Sequence, residues 1–319
     1  SDEMNIATYG EDVDRIRAGV LDLTLGMVSD YKSLGQLSEA ASRFGLSGSS
    51  WNGRLREDTD TSNPVFDIAM SSCILCARCV NACQDSHQFI GAIDYLGSGE
   101  KSRIGTFLDR PLIDSICTTC GQCLSVCPTG AIHIKEKVDD GPDVSADKSE
   151  LRMVSSTCPY CGVGCGIKMS IDSKDNISKI EDDPNNLSSV GMLCVKGRFG
   201  QSFVTHQDRL TEPLIRRDGV LQPATWDEAL DLITDNLIKF RGDAFGTLCS
   251  AKATNEDGYI QQKFTRLLMQ SNNIDHCTRL CHAPSVEAML TSLGSGATSN
   301  SYTDYEDARC LLVIGCDPT

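Results

Sequence analysis

The spacing of apolar residues predicts two amphipathic helices near the start of the chain. Across residues 10–46, apolar side chains recur every three or four positions, which places them on one side of a helix. The polar stretch 47–64, rich in Gly, Ser, Asn and Asp, predicts a loop after these helices. The residues predicted to share a face are Ile16, Val20, Leu23 and Val28 in the first helix, and Leu34, Leu37, Ala41 and Phe44 in the second.

Beyond residue 210 the pattern changes to short apolar runs that alternate with helical periods. Thr225 and Glu228 have the spacing of a capping box, which predicts a helix start. Further helices are expected over 257–270 and 284–293. Apolar runs at 245–250 and 310–316 predict strands, and the second run (CLLVIGC) predicts a buried parallel strand. Strands that alternate with helices are typical of an α/β domain.

Cysteine spacing gives the first chemical signal. The chain has 319 residues and 17 cysteines, and most of these cysteines fall into three sets of four. A disulfide-rich secreted protein and a metalloprotein both fit this cysteine content. Each set contains C-x2-C steps, a spacing that is poor for a disulfide but suits two ligands of one iron–sulfur cluster. The spacing therefore favours metal sites.

The first two sets have the spacing of bacterial two-cluster ferredoxins. Each is C-x2-C-x2-C-x3-C, and Pro128 follows the second. In such ferredoxins the fourth cysteine of each set binds the other cluster. Zinc is the alternative, although zinc ribbons usually use cysteine pairs with a longer spacer. The predicted ligands are Cys73, Cys76, Cys79 and Cys127 for one [4Fe-4S] cluster, and Cys83, Cys117, Cys120 and Cys123 for the other.

The third set has a different spacing. Cys158, Cys161 and Cys165 follow one another closely, and Cys194 completes the set from a distance. Glycines surround the first three cysteines and allow the backbone to approach a cluster. We expect a third [4Fe-4S] cluster, with a zinc site as the alternative. Three one-electron carriers in one chain suggest an electron-transfer path, which by itself requires no catalysis.

Longer motifs around these cysteines give the chain a family resemblance. Cys158-Pro-Tyr-Cys-Gly-Val-Gly-Cys and Cys194-Val-Lys-Gly resemble the cluster domain of molybdenum or tungsten bis-pterin formate dehydrogenases, in their catalytic subunit. Ala253-Thr-Asn-Glu-Asp and Asn273-Ile-Asp-His-Cys-Thr-Arg-Leu-Cys-His-Ala-Pro-Ser-Val continue the similarity. The histidine in the last motif separates this family from the similar periplasmic nitrate reductases. The resemblance covers residues 65–319 and only the N-terminal part of that family's catalytic domains.

The resemblance implies a fold class and an order of domains. The class is an α+β ferredoxin-like two-cluster domain, followed by a small cluster domain and the start of an α/β molybdopterin oxidoreductase domain. An acidic linker at 138–147 is the expected boundary between the first two cluster-bearing domains. The expected segments are helical at 1–64, two-cluster at 65–137, third-cluster at 151–210 and incomplete catalytic at 211–319.

The same resemblance implies the active-site residues. Cys281 has the position of the cysteine or selenocysteine that ligates the metal, and a soft thiolate suits molybdenum or tungsten. His282 would accept a proton or polarise formate. Lys196 would lie between the third cluster and the pterin, where its charge could tune both potentials. Gly315 and Asp317, after a predicted strand, are candidates for contact with the guanosine tail of the pterin.

The implied cofactors are three [4Fe-4S] clusters and a molybdenum or tungsten bis(molybdopterin guanine dinucleotide). In this family later domains hold both pterins, so residues outside the chain are expected to complete the pterin site. We therefore expect the chain to be cut or partly observed, or to be completed by a longer polypeptide or a second chain.

Some residues have simpler interpretations or depart from the family. In relatives linked to NAD, a segment similar to residues 15–46 has one histidine and three cysteine ligands. Residues 25–36 contain neither residue type. We interpret the segment as a degenerate cluster site that keeps its packing and lacks its metal. The cysteines interpreted as small buried apolar residues are Cys249, Cys277, Cys310 and Cys316.

Charge and composition narrow the expected partners. The formal net charge of −15 argues against nucleic acid, which attracts basic surfaces. No stretch approaches the roughly 20 apolar residues of a membrane span, and no signal-like segment follows the start, so a cytoplasmic location is expected. The expected electron partners are a flavin/NAD(P) module, a ferredoxin or a hydrogenase subunit.

Two functions fit the sequence. The first is a formate dehydrogenase or CO2 reductase. The second is a non-catalytic iron–sulfur subunit with a vestigial molybdopterin fold, similar to the large iron–sulfur subunit of NADH:quinone oxidoreductase. The second function does not require Cys281 and His282, so the presence of this pair favours the enzyme.

Overall fold

The computed structural model describes residues 6–30, 32, 34–51, 53, 55–135 and 151–315. The chain divides into two compact units, Ser1–Gln207 and Asp208–Pro318, and each is described by itself. The acidic linker predicted at 138–147 lies outside the described residues.

The first unit combines short helices with three antiparallel sheets. The sheets have the strand orders β1-β2-β5, β3-β4 and β6-β7-β8. Its helices are α1 (Glu11–Leu25), α2 (Gly35–Arg43), α3 (Arg78–Asn81), α4 (Gln122–Val126) and α5 (Val195–Phe199). Its strands are β1 (Thr59–Asp60), β2 (Phe66–Ala69), β3 (Asp94–Leu96), β4 (Arg103–Gly105), β5 (Ile132–Ile134), β6 (Arg152–Thr157), β7 (Gly166–Ile171) and β8 (Ile177–Asp182).

Strands β2 and β5 bring the two ferredoxin-type cysteine sets together. Strand β2 precedes the first set and β5 follows the second, and the strands pair antiparallel with Phe66 opposite Ile134 and Ile68 opposite Ile132. Alternate residues of β2 are buried in a shared apolar core, as the two-residue period of a strand requires. The pairing therefore closes both cysteine loops around one core, with Cys127 approaching the start of the first set.

The N-terminal helices pack against the first cysteine loop. Leu25, Val28, Leu34, Leu37 and Ala41 form a buried cluster, and Ile74, next to Cys73, packs on it. The two predicted helices and the buried face of α2 are confirmed.

The predicted buried face is wrong for the three of its residues that lie in α1, and right for Val28, which follows the helix. Ile16, Val20 and Leu23 are 61%, 58% and 50% exposed. The α1–α2 core involves α1 only at Leu21 and Leu25, so among the described residues the earlier turns gain little apolar contact. Periodicity identified an amphipathic helix, but tertiary contacts decide which turns are buried.

The third cysteine set lies at the end of a separate three-stranded sheet. Strands β6 and β7 form a hairpin in which Thr157 pairs with Gly166, so residues 158–165 form its turn. The amide of Cys158 donates to the carbonyl oxygen of Cys165 at 2.8 Å and closes this turn. Ile167, Ile180 and Leu193 pack beneath Cys158. The hairpin thus presents three cysteines at one end of the sheet.

The second unit contains helices and two two-stranded sheets in its described part. Strands β9 and β10 pair antiparallel, and β11 and β12 pair parallel. The parallel pair and its flanking helices fit the predicted start of an α/β domain. Its strands are β9 (Leu214–Arg217), β10 (Val220–Pro223), β11 (Thr247–Cys249) and β12 (Ile274–His276). Its helices are α6 (Trp226–Leu237), α7 (Asn255–Lys263), α8 (Thr278–Cys281), α9 (Ala283–Leu293) and α10 (Asp304–Asp307).

Capping boxes start the two longer helices that follow a strand. Thr225 and Glu228 cap α6 reciprocally, which confirms the prediction, and Thr254 and Asp257 cap α7 in the same way. Helix α7 continues into a π-helical segment, Phe264–Leu268. The predicted helix over 284–293 is also confirmed, as α9.

The predicted buried strand at the end of the chain is wrong for residues 310–314. These residues form no strand, and Leu312 and Ile314 are 85% and 79% exposed. A parallel strand is stabilised by neighbours on both sides, and in the described part of this unit no strand pairs with them. An apolar run alone therefore did not identify a strand; Cys316 lies outside the described residues.

Candidate iron–sulfur and pterin sites

Two cavities in the ferredoxin-like domain are each lined by four cysteines. The first is lined by Cys73, Cys76, Cys79 and Cys127. The second is lined by Cys83, Cys117, Cys120 and Cys123. Each cavity therefore joins three cysteines of one set to the fourth cysteine of the other. Apolar side chains form most of the remaining walls of both cavities, and both share Ile68.

The two cysteine loops have the same unusual backbone geometry. Leu75 and Thr119, each two residues after the first cysteine of its set, have φ values of 55° and 56°. Ala77 and Gly121, each one residue after the second cysteine, have φ values of 63° and 75°. Left-handed backbone is costly for residues other than glycine and is concentrated at functional sites. Both loops are therefore shaped alike, as expected of two equivalent metal sites.

Backbone amides donate to the cysteine sulfurs. The amides of Leu75 and Thr119 lie 3.4 Å from the Sγ atoms of Cys73 and Cys117. The amide of Ala92 lies 3.2 Å from Cys83 Sγ. Such N–H···S bonds stabilise negative charge on sulfur, and they raise the potential of a bound iron–sulfur cluster.

Burial opposes ionisation of the clustered thiols. Burial, together with the smaller effect of the neighbouring Cys73, Cys127 and Cys76 sulfurs, raises the pKa of Cys79 to about 12. Burial likewise raises the pKa of Cys123 well above its ordinary value. Thiolates at these positions therefore need a cationic group to balance their charge, which a bound metal cluster supplies.

The third cysteine set is also brought together. Burial raises the pKa of Cys165, and the nearby Cys158, Cys161 and Cys194 sulfurs act in the same direction. Cys158 is buried, whereas Cys161 and Cys194 are exposed. Cys194 is the N-cap residue of helix α5, and a Cβ at Gly197 in this helix would lie 3.5 Å from Cys158 Sγ. The glycine thus keeps the space beside this sulfur open.

The donor sets have the composition that iron–sulfur clusters require. Each set offers four cysteine sulfurs, which are the ligands of a [4Fe-4S] cluster. No described cysteine forms a disulfide. Four sulfurs around an apolar cavity suit a larger metal group such as a [4Fe-4S] cluster.

Cys281 and His282 lie at the end of helix α8 in the second unit. Both are exposed, and α8 follows directly on β12. His282 Nε2 lies 3.3 Å from Thr278 Oγ1, which is 2.6 Å from His276 Nδ1. The amide of Thr278 also donates to His276 Nδ1. Sequence reasoning missed Thr278 and His276, and their positions four and six residues before His282 were the available signal.

The remaining predicted site residues are Lys196, Gly315 and Asp317. Lys196 is exposed on α5, two residues after Cys194. Gly315 is exposed with φ near 60°, and Asp317 lies outside the described residues.

Two of the four remaining cysteines contradict their interpretation as buried residues. Cys277 and Cys310 are exposed, and Cys249 is half-buried. Cys277 Sγ accepts a hydrogen bond from the amide of Ala251 at 3.2 Å, which links the segment after β11 to the segment after β12. Cys277 directly follows the short strand β12, and Cys310 lies in the segment after α10, so neither residue is inside a strand.

Three family models match successive parts of the chain. The 4Fe-4S dicluster domain matches residues 72–131, and the molybdopterin oxidoreductase Fe4S4 domain matches 151–206. The molybdopterin oxidoreductase model matches 209–319. The chain therefore carries a 4Fe-4S dicluster domain, a molybdopterin oxidoreductase Fe4S4 domain and the start of a molybdopterin oxidoreductase domain. This order confirms the predicted fold class of a two-cluster domain, a small cluster domain and the start of the oxidoreductase domain.

Relatives of this chain carry formate dehydrogenase names. A protein of Staphylococcus haemolyticus named "Putative formate dehydrogenase" is 30% identical, and one of Staphylococcus aureus with that name is 29% identical. Each alignment covers 98% of this chain and 36% of the relative. The chain thus spans about a third of the length of these relatives and resembles a formate dehydrogenase-like N-terminal portion.

A solved structure of an NAD+-reducing [NiFe]-hydrogenase matches with a TM-score of 0.36 and 23% identity, over 40% of this chain and 57% of that chain. No helix in the described parts of the chain is both long and apolar enough to cross a membrane.

Proposed function

We propose that this chain is the N-terminal part of a formate dehydrogenase or CO2 reductase catalytic subunit. The observation that carries the proposal is the Cys281-His282 pair, exposed at the end of α8 inside the segment that matches the molybdopterin oxidoreductase model. A scaffold that only transfers electrons has no need of an exposed thiol followed by an imidazole. The names of the relatives support formate as the substrate.

The three cysteine sets hold the electron path in this proposal. Each set binds one [4Fe-4S] cluster, with the fourth ligands of the ferredoxin-like sets exchanged between Cys83 and Cys127. The apolar cavities around the first two sets and the N–H···S bonds support this assignment. One-electron carriers in series suit the removal of electrons from a two-electron reaction one at a time.

Cys281 and His282 divide the tasks at the catalytic site. The Sγ atom of Cys281 provides a soft thiolate ligand for molybdenum or tungsten. When bound, the pterin-held metal supplies a two-electron acceptor for formate. Exposure of Cys281 on α8 leaves its sulfur accessible to such a group.

The hydrogen-bond chain at His282 suggests which of its nitrogens acts as the base. His276 Nδ1 accepts from the Thr278 amide, so the Thr278 hydroxyl can donate to the same nitrogen and accept from His282 Nε2. This arrangement holds the proton of neutral His282 on Nε2 and leaves Nδ1 as the basic atom. His282 Nδ1 would take the proton that formate oxidation releases.

The proposal includes partners of defined chemistry. A flavin/NAD(P) module, a ferredoxin or a hydrogenase subunit accepts or supplies electrons through the clusters. Further protein, in the same polypeptide or a second chain, completes the pterin site. Lys196, exposed two residues after Cys194, provides positive charge near the third cysteine set.

Cys281→Ala tests the proposal in the purified holoenzyme. The expected result is loss of formate turnover by at least about three orders of magnitude, with iron content and the reduced-cluster spectra unchanged. Cys310→Ala is the matched control, because Cys310 is also an exposed cysteine of the second unit and lies outside the proposed site. Unchanged turnover in Cys281→Ala would favour the non-catalytic electron-transfer subunit.

A further inference from the structure

A buried guanidinium joins the ferredoxin-like domain to the third-cluster domain. Arg198 lies on helix α5, four residues after Cys194, and is only 4% exposed. Its Nε donates to the carbonyl oxygen of Cys120 at 3.1 Å. Its Nη2 donates to Gln122 Oε1 and to Asp182 Oδ1, the second at 3.1 Å. One side chain from the third-cluster domain therefore reaches the loop of the second cysteine set.

This contact is charged and mostly shielded from water. The side chains of Arg198 and Asp182 are 2% and 21% exposed. A buried charge is costly unless it is paired and hydrogen-bonded. Asp182 supplies the pairing charge, and the Cys120 carbonyl and Gln122 amide oxygens supply the other acceptors. The planar fork of arginine suits three acceptors in this way, whereas a lysine offers a single point charge.

The cysteine loop is shaped to admit this side chain. Gly121, between Cys120 and Gln122, would place a Cβ 2.5 Å from Arg198 Cδ and 2.8 Å from the Phe199 ring. At the equivalent position of the first loop stands Ala77, with a similar left-handed φ. The two loops thus share a backbone shape, and the one that contacts Arg198 has no side chain in the way.

Gln122 extends the contact to the third-cluster domain by a second route. It is 2% exposed, and its Nε2 donates to the carbonyl oxygen of Gly191 at 3.4 Å. Gln122 lies directly before Cys123, and Gly191 lies three residues before Cys194. The Arg198 and Gln122 side chains therefore both link the loop of the second cysteine set to the segment around Cys194.

We propose that Arg198 is a positioning residue that fixes the second cysteine set, Cys83 with Cys117, Cys120 and Cys123, relative to the third set. Through its charge it also raises the reduction potential of the cluster at the second set. This inference rests on the proposed assignment of clusters to both sets. It assigns a role to the contact between them that does not depend on formate as the substrate.

The sign of the charge effect follows from electrostatics. Adding an electron makes a cluster more negative, so a nearby cation stabilises the reduced form and raises the potential, while a nearby anion lowers it. Low exposure reduces screening by water and salt, so the effect of Arg198 and Asp182 exceeds that of a surface pair.

Three substitutions separate charge from packing in redox titrations of the iron–sulfur signals. At fixed ambient potential, Arg198→Gln is expected to lower the reduced-to-oxidised ratio of the second cluster about tenfold, equivalent to about 59 mV for one electron. Asp182→Asn is expected to raise the ratio. Arg198→Lys keeps the positive charge, so its reduced-to-oxidised ratio should be close to that of the unsubstituted protein. Loss of packing alone does not predict opposite shifts at two partners of one ion pair.

Spin–spin interaction between the reduced clusters reports the positioning role. Arg198→Gln is expected to weaken or broaden the splitting between the second and third clusters, because the bridge that fixes their separation is lost. Arg152→Gln is the matched control, since Arg152 pairs with Asp175 at 3.0 Å in the same domain but both side chains are exposed. The control should shift neither the potential nor the splitting.

Two outcomes would overturn the inference. If Arg198→Gln retains both clusters and changes neither the reduction potential nor the splitting, the proposed role of Arg198 is contradicted. The assignment of clusters to the cysteine sets would be unaffected. Absence of cluster signals from the unsubstituted protein would instead contradict the proposed function and the inference with it. If Arg198→Gln does not retain its clusters, the test is the reduction potential of the second cluster in Asp182→Asn. A lower or unchanged potential in that variant would contradict the proposal.

Discussion

At the scale of single residues, the two cysteine loops have the same backbone conformation but different neighbours. Ala77 and Gly121 have similar left-handed φ values, but only Gly121 faces Arg198 closely. Gly121→Ala adds a Cβ into that contact and strains the backbone by about 1–3 kcal/mol. We expect loss of iron from the second site and a lower thermal midpoint, measured by iron analysis and thermal melts.

Ala77→Gly is the matched control for Gly121→Ala. It places glycine at the equivalent position of the first loop, where the left-handed φ favours glycine. Iron content should therefore remain that of the unsubstituted protein. If the two variants had the same iron content and thermal midpoint, the Arg198 contact would not require glycine at position 121.

Sequence predicted which cysteines lie together, because this grouping depends on spacing alone. The predicted exchange of Cys83 and Cys127 follows from a repeated spacing, and the structure places each of them beside the other set. Arg198 could not be predicted in this way, because its partner Cys120 lies 78 residues away and only the packed fold brings them together. The Thr278–His282 contact lies within a single helical turn and could have been found from its spacing.

At the scale of elements, the N-terminal helices show the limit of periodicity. It predicted both helices, but for α1 it selected Ile16, Val20 and Leu23, which are exposed. The buried positions depend on where α2 and the first cysteine loop meet α1, and the sequence pattern does not encode that contact. The absence of Cys and His from residues 25–36 still supports a packing role, because these helices contact Ile74.

A pair of leucine substitutions tests this packing. Leu37 is 5% exposed in the core formed by α1 and α2, so Leu37→Ala should destabilise the protein by about 2–5 kcal/mol. Leu23→Ala, at a position 50% exposed, should change stability far less. Chemical denaturation followed by helix content measures both. A larger loss at Leu23 than at Leu37 would contradict the observed packing.

At the scale of the whole molecule, the order of domains was predictable and the details of the catalytic domain were not. Cysteine motifs and the Cys281-His282 pair indicated three successive domains, and family models match in that order. The predicted strand at 310–314 failed because a parallel strand depends on neighbouring strands, whereas the sequence showed only its apolar run.

The metal and sulfide content of the anaerobically purified protein tests the central claim most directly. Three [4Fe-4S] clusters require about 12 iron and about 12 acid-labile sulfide per chain, with no stoichiometric zinc. About 16 iron would contradict the interpretation of residues 15–46 as a segment without metal. About eight iron, or zinc in place of iron at any of the three cysteine sets, would contradict the three-cluster account.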